Sequence, residues 1–384
     1  MGFVQVRLEV VAINISNIAA FVRAGQTSLN ISSKHLSLAK AEQRLRAKGI
    51  LMPHLHKALS LPASFKRHPN EITTMLKINL FILTDLVSTI SFGQKIETVY
   101  LDSKDSTSNM YIAVIPDAKP IKAFMFLLDG FGASPQNILL QTELPKYAAK
   151  QGILTILPIL KTGSLFFGVD SLSQQSLNNQ IKIIVDKYHL QGKDFYIGGF
   201  SIGGSCVVKY AELAAKNNYA TKPKAVFAVD PPLDWERFYN SAKRVVRLSD
   251  PTNVNGEVTY MIDRIETEMK GTPQTAIVNF YNISPYSFSD TTQRAVKTLL
   301  KTPIMIITEP DIQWWLSQRG YDLSYTNVTD QTAMINELQK LGNSKAVLVT
   351  TTNKGYRKPG NIRHPHSWSI ADPIQLTNWL LLQK

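Results

Sequence analysis

The sequence predicts an α/β fold in which a mostly parallel central sheet is covered by helices on both faces. Three observations predict it. Short apolar runs rich in β-branched and aromatic residues recur from residue 95 onward. Segments of helical period lie between most of them. A glycine-rich turn joins one run directly to the following helix. Strands that alternate with helices build parallel sheets with both faces buried.

The predicted strands follow from these runs. The first two form an opening pair, and the others are buried strands. In chain order the strands are 96–102, 110–116, 123–129, 153–160, 195–199, 225–230, 303–309 and 346–352.

The predicted helices have the capping residues that helices favour. Ser134 and Pro135 mark the start of a helix that extends to residue 150. Three further helices are predicted over 171–188, 202–216 and 372–382. After the sixth strand, residues 231–300 interrupt the alternation. They are long enough to form a helical insertion over one end of the sheet.

The 384 residues suffice for one large domain or two smaller ones, and the formal net charge is +13. Over half of the excess lies in residues 1–74, which hold ten Lys or Arg against three Glu and no Asp. No nucleic-acid motif accompanies this charge, so no nucleic-acid partner is expected. The single cysteine, Cys206, excludes a disulfide within the chain.

Residues 75–93 have the order of a secretory signal peptide. A methionine and a lysine precede a mainly apolar run over 78–90, and small residues follow. The segment resembles bacterial export signals, although Asp85 interrupts the apolar run, and cleavage is expected after Gly93. It is too short and too polar for a stable membrane span. A periplasmic or secreted location is therefore predicted. The alternative is a buried helix of a globular domain.

Because a signal peptide stands at the start of a chain, residues 1–74 are interpreted as an extension that precedes it. This extension is either poorly ordered or spurious, the latter if the start codon was assigned too early. A basic tail and a small partner-binding segment are the alternatives. Residues 94–384 then form the folded domain.

The pattern G-x-S-x-G lies at Gly199-Phe200-Ser201-Ile202-Gly203, between a predicted strand and a predicted helix. That context makes Ser201 a candidate nucleophile, held at the carboxyl edge of the sheet by a sharp turn. Gly199 and Gly203 are needed because the turn is tight and the strand packs closely on the helix. Alternatively, Ser201 merely caps the helix.

A serine nucleophile needs a base. His364 and His366 both lie in a loop between the last strand and the last helix. His366 is preferred because His366-Ser367-Trp368, shortly before a proline-started helix, resembles the histidine loop of α/β hydrolases, and His364 is the runner-up. The base needs a carboxylate that orients it. Asp311 is chosen because it lies further into the loop after its strand, where a histidine can reach it. Glu309 and Asp230 remain alternatives.

A backbone oxyanion hole completes the candidate site. The amide of Ile202 is one predicted donor, since it begins the helix after the serine. The loop Asp129-Gly130-Phe131-Gly132 resembles the His-Gly-x-Gly loops of esterases and lipases, with Asp129 in the place of histidine. The amide of Phe131 is the second predicted donor.

With the chain order Ser201, Asp311, His366, the region 95–384 resembles the α/β-hydrolase superfamily, as a secreted serine esterase-like member. The resemblance implies acyl transfer through an acyl-enzyme, with no metal and no organic cofactor. A carboxylesterase acting on small or carbohydrate-linked esters is the leading hypothesis. The alternatives are a serine peptidase of the prolyl-oligopeptidase type and a catalytically silent hydrolase fold that serves as a binding module.

Overall fold

A computed structural model describes residues 95–383, apart from 103–104, 106, 118–119, 251 and 253–254. The predicted extension at 1–74 and the signal-like segment at 75–93 lie outside the described residues. Export therefore stays a prediction. No helix in the described part of the chain combines the length and apolar character that a membrane span requires.

Eight strands form one sheet, and each predicted strand is present within a few residues of its expected bounds. They are β1 (Lys95–Tyr100), β2 (Met110–Ile115), β3 (Ala123–Leu128), β4 (Ile153–Ile159), β5 (Asp194–Phe200), β6 (Ala225–Val229), β7 (Ile304–Thr308) and β8 (Ala346–Thr350).

The spatial order of the strands is β1-β2-β4-β3-β5-β6-β7-β8. Strand β2 pairs antiparallel with both β1 and β4, whereas all the other pairs are parallel. Helices cover both faces of the sheet. The structure thus confirms the predicted α/β-hydrolase fold.

Ten helices accompany the sheet in the described residues. They are α1 (Pro135–Gln141), α2 (Leu144–Lys150), α3 (Ser171–Lys187), α4 (Ile202–Lys216), α5 (Trp235–Leu248), α6 (Gly256–Met269), α7 (Pro273–Ile283), α8 (Ile312–Arg319), α9 (Val328–Lys340) and α10 (Pro373–Leu382). A two-stranded hairpin, β9 (Tyr356–Arg357) with β10 (Ile362–Arg363), follows β8.

The single helix predicted over 134–150 is wrong, because the structure has two helices there. Pro145 explains the break. In a continuous helix its missing N–H would leave the carbonyl of Gln141 unpaired, and its ring would clash with that carbonyl. Pro145 is instead accommodated in the first turn of α2, where its N–H would have no partner in any case.

The core divides into two layers, one on each face of the sheet. Strand β3 shows the division, because Phe124 and Phe126 point into one layer while Met125 and Leu127 point into the other. Helices α3, α4 and α9 cover the first layer, and α1, α2 and α10 cover the second. The sheet is therefore buried on both faces.

The insertion after β6 consists of helices, as predicted, and these helices pack around a third core cluster, to which residues outside the insertion also contribute. Trp235 and Phe280 are buried there. Trp235 stacks on Phe167 with 4.4 Å between the ring centroids. Ile202, the residue after the candidate nucleophile, belongs to the same cluster. The insertion therefore lies over the carboxyl end of the sheet, beside Ser201.

Candidate active site

Ser201 occupies a sharp turn between β5 and α4. Its φ of 52° and ψ of −124° are unfavourable for a residue with a Cβ. The backbone N–H of Ser201 donates to the carbonyl of Val229 at 2.8 Å, which fixes the turn to β6. The hydroxyl bonds to His366 and does not cap α4. The alternative that Ser201 merely caps the helix is therefore wrong.

Gly199 and Gly203 allow three backbone segments to meet beneath Ser201. A Cβ on Gly199 would lie 2.4 Å from the carbonyl of Gly203. A Cβ on Gly203 would lie 2.4 Å from the carbonyl oxygens of Leu128 and Asp129. Any side chain at either position would push strand, helix and the loop after β3 apart.

Ser201, His366 and Asp230 form a continuous chain of hydrogen bonds. His366 Nε2 lies 2.9 Å from Ser201 Oγ, and His366 Nδ1 lies 2.6 Å from Asp230 Oδ2. Because a carboxylate can only accept, Nδ1 carries the proton and Nε2 is left to accept the serine hydroxyl. The imidazole packs on Phe200, with 4.5 Å between the ring centroids.

Asp230 directly follows β6 in a buried position, and its carboxylate accepts three hydrogen bonds. Thr308 Oγ1 and Gln331 Nε2 donate to its Oδ1 at 2.8 and 2.9 Å, while His366 holds Oδ2. Burial by itself raises the pKa of Asp230. The hydrogen bond and charge of His366, with the two smaller contributions, outweigh burial and lower that pKa below its usual value. The carboxylate thus stays ionised.

The structure does not place Asp311 against His366. Its Oδ2 lies 2.6 Å from Arg363 Nη2, and its Oδ1 caps α8 by accepting the amide of Trp314 at 3.0 Å. The preference for Asp311 is therefore corrected, because Asp230 is the carboxylate that contacts His366. Arg363 explains the difference, since its permanent charge holds Asp311 on the hairpin.

Glu309, the second alternative, also pairs with Arg363. The two side chains are 2.6 Å apart, and the Glu309 carboxylate is almost fully buried. It also accepts the amides of Lys354 and Gly355 at 2.8 and 3.2 Å and the hydroxyl of Thr351 at 3.0 Å. This carboxylate anchors the segment that leads into the hairpin.

His364, the alternative base, packs between two tryptophans. Its ring centroid lies 4.6 Å from that of Trp314 and 5.6 Å from that of Trp315. Burial, with a smaller effect of the Arg357 charge, lowers the pKa of His364 to about 2. The structure brings His366 rather than His364 to Ser201.

The two predicted oxyanion donors are both beside Ser201. A Cβ on Gly130 would lie 3.4 Å from the Cβ of Ser201, which places the loop after β3 against the serine. Gly132 donates its amide to Ser164 at 2.9 Å. Across the described residues, the amides of Phe131 and Ile202 donate to no protein acceptor. Both are therefore available to an oxyanion.

Asp129, at the start of the loop after β3, connects two parts of the site. Its Oδ1 accepts the amide of Gly130 and the indole N–H of Trp368, both at 2.8 Å. Its Oδ2 accepts the amide nitrogen of Asn137 at 2.7 Å. Burial raises the pKa of Asp129, and these hydrogen bonds oppose the shift. The carboxylate thus ties the oxyanion loop to the loop that carries His366. Sequence reasoning missed this role, although the departure from the motif pointed to the position.

A cavity of about 180 Å³ opens in front of the serine. Its walls come from the hydrogen-bonded chain, from the insertion and from the segment after β7. The lining includes Phe131, Ser201, Phe238, Met261, Trp315 and His366. No group of three or more His, Cys, Asp or Glu side chains among residues 95–383 is arranged to hold a metal ion, apart from positions that the structure does not describe.

No protein-family model matches the sequence, and no curated protein matches it. Several solved structures, however, are similar to this chain. S-formylglutathione hydrolase from Agrobacterium tumefaciens is similar over 77% of this chain and 98% of its own, with 11% identity and a TM-score of 0.49. Carboxyl esterase 2 from the fungus Tuber melanosporum is similar over 77% of this chain and 86% of its own, with 15% identity and a TM-score of 0.47. Acylaminoacyl peptidase from Pyrococcus horikoshii is similar over 77% of this chain and 42% of its own, with 13% identity and a TM-score of 0.47.

Proposed function

We propose that this chain is a serine hydrolase that cleaves small carboxylic esters through an acyl-enzyme. The observation that carries the proposal is the chain of hydrogen bonds from Ser201 through His366 to Asp230, built on a strained turn. Two unpartnered backbone amides beside the serine supply the oxyanion hole that such chemistry needs. Asp230, in place of Asp311, is the proposed acid.

In the first half of the reaction, Ser201 Oγ attacks the ester carbonyl while His366 Nε2 takes the hydroxyl proton. The amides of Ile202 and Phe131 hold the negative charge that develops on the carbonyl oxygen. Asp230 stabilises the imidazolium. The tetrahedral intermediate then loses the alcohol, which takes the proton from His366. Water repeats the same steps on the acyl-enzyme, releasing the acid and restoring the serine.

An ester fits the cavity better than a long peptide, because the insertion and the segment after β7 both contribute to its walls. Phe131, Phe238 and Trp315 offer apolar contact to an acyl or aryl group. No lining residue favours carbohydrate-linked esters in particular. The peptidase alternative differs only in its leaving group. The silent binding module would not need the intact hydrogen-bonded chain.

Labelling with a fluorophosphonate probe tests the proposal directly. We expect the full chain to form a single adduct, located on Ser201 by mass spectrometry, and we expect Ser201→Ala and His366→Ala to lose it. His189→Ala is the matched control, since this exposed histidine precedes β5 at the opposite end of the strand from Ser201. A folded protein that takes no label, or labels elsewhere, would refute the proposed nucleophile.

Asp129 offers a second test, of the connection between the two loops. In Asp129→Asn the new NH2 group would face the donor of Asn137, so the oxyanion loop should shift. We expect kcat for an ester to fall about tenfold to a hundredfold, since small displacements of positioning groups cost about that much. Asn137→Ala, which removes only one of the three hydrogen bonds, should lower kcat less. An unchanged kcat in Asp129→Asn would show that the loop keeps its position without this carboxylate.

A further inference from the structure

Two arginine side chains line the cavity in front of Ser201. Arg319 is the last residue of α8, and Arg357 lies in β9 of the hairpin. They belong to segments about forty residues apart in the sequence, and the fold brings both to one opening. Partial burial and the neighbouring Arg319 charge lower the pKa of Arg357. The two guanidinium groups therefore repel each other across the cavity.

No carboxylate in the described part of the chain forms an ion pair with either group, which sets them apart from most other arginines. Five arginines there have a carboxylate partner: Arg237, Arg244, Arg264, Arg294 and Arg363. The charges of Arg319 and Arg357 are thus left for the cavity.

The cavity wall also carries two carboxylates, but neither forms an ion pair with Arg319 or Arg357 in the described residues. Asp230 lines the wall, but its carboxylate is engaged by His366. Glu257 also lines the wall and raises the pKa of Arg357, without an ion pair to either guanidinium group in the described residues. The formal charges of these four side chains sum to zero, but neither arginine has a carboxylate at ion-pair distance in the described residues.

The two arginine side chains differ in how firmly hydrogen bonds hold them. Arg357 donates from Nε and Nη2 to the backbone carbonyl of His366, at 3.2 and 2.8 Å, and so supports the histidine loop. Arg319 is exposed and has no such bond in the described residues. Its planar fork of donors is the geometry that binds carboxylate or phosphate with two parallel hydrogen bonds.

We propose that Arg319, with Arg357 beside it, forms a subsite for an anionic group carried by the ester substrate. The inference rests on the proposed function and narrows its substrate class to esters with a carboxylate or a phosphate on the acyl or the alcohol part. An anion between the two guanidinium groups relieves their repulsion and takes the place of the carboxylate partner that the described residues do not supply.

Matched pairs of esters test the subsite. The glutaric acid mono-4-nitrophenyl ester is compared with its neutral methyl ester, for the acyl side. For the alcohol side, the acetates of 3-hydroxybenzoate and of 3-hydroxyphenyl phosphate are compared with the acetate of methyl 3-hydroxybenzoate. We expect at least one anionic ester to have a kcat/KM about tenfold or more above its neutral partner. The pair with the larger ratio of kcat/KM values shows whether the subsite prefers a carboxylate or a phosphate.

Variants assign the preference to Arg319. We expect Arg319→Ala to lower the ratio of anionic to neutral kcat/KM about tenfold, through KM, and Arg319→Glu to invert it. Arg247→Ala is the matched control, because Arg247 is also an exposed residue in the last turn of its helix but does not line the cavity. Added salt should reduce the preference in the wild type.

Binding to the Ser201→Ala variant separates this inference from the proposed function. Calorimetry with the uncleaved anionic esters should show binding that Arg319→Ala weakens, whether or not the wild type turns them over. Neutral esters cleaved as well as anionic ones, with no effect of Arg319, would overturn the subsite and leave the hydrolase intact. Binding without turnover or labelling would overturn the hydrolase and leave the subsite. Binding that does not depend on Arg319 would overturn the subsite in either case.

Discussion

Asp230→Asn should lower kcat about ten-thousandfold while the protein stays folded. An asparagine amide presented to His366 Nδ1 would donate a hydrogen bond, so the imidazole would turn its unprotonated nitrogen to position 230 and keep its proton on Nε2. That nitrogen could no longer take the proton of Ser201. The measurement is steady-state hydrolysis of a soluble ester, with circular dichroism as the check on folding.

Asp311→Asn is the matched control, because it removes the same charge from the carboxylate that the sequence favoured. The Asp311 side chain is 28% exposed and pairs with Arg363, which keeps Glu309 as a partner. Partly exposed ion pairs contribute little, so kcat should fall less than about tenfold. A large loss in Asp311→Asn with normal activity in Asp230→Asn would reverse the assignment.

The serine turn could be predicted from the sequence because its causes are local. The apolar run of β5, the flanking glycines and the helical period of α4 lie within about twenty residues. Gly199 and Gly203 leave no room for a side chain, so the pattern itself describes the backbone contact. For the same reason the bounds of α4 agree with the prediction to the residue.

The carboxylate could not be chosen from the sequence because the deciding contacts are distant. Asp230 and Asp311 both follow a strand, and both precede His366, so chain order permits either. The structure separates them through Gln331, on a helix that the sequence analysis did not predict, and through Arg363, on a hairpin of two-residue strands. No local period marks the two-residue strands, and the apolar face of α9 does not reveal that its Gln331 contacts Asp230.

The cavity arginines were missed for a similar reason. Arg319 belongs to α8, a helix with almost no apolar face, and Arg357 belongs to the short hairpin. Neither carries a motif, and each alone resembles an ordinary surface residue. Only the fold brings them to one opening with Ser201. Neither has a carboxylate partner within the described residues, and a sequence cannot show that.

Ser201→Gly should abolish activity and leave the fold more stable than Ser201→Ala does. Loss of the nucleophile in a serine hydrolase lowers kcat about a millionfold. The backbone of Ser201, at φ 52° and ψ −124°, is one that a residue with a Cβ holds at a cost of about 1–3 kcal/mol. Glycine adopts it freely. However, glycine has more conformational freedom than alanine in the unfolded chain, and losing that freedom on folding costs about 0.5–1 kcal/mol. The free energy of unfolding should therefore exceed that of Ser201→Ala by about 1 kcal/mol.

Comparison with Ser201→Ala isolates the backbone contribution, because both variants lose the hydrogen bond to His366 and only glycine relieves the turn. Urea denaturation of the two variants and the wild type measures the difference. A glycine variant that is less stable than the alanine variant would show that the turn stores no strain. The expected order would instead mean that the packing of β5, α4 and the loop after β3 holds the serine in place against its own backbone preference. The backbone strain would then lie at Ser201, the residue whose hydroxyl the proposed chemistry requires.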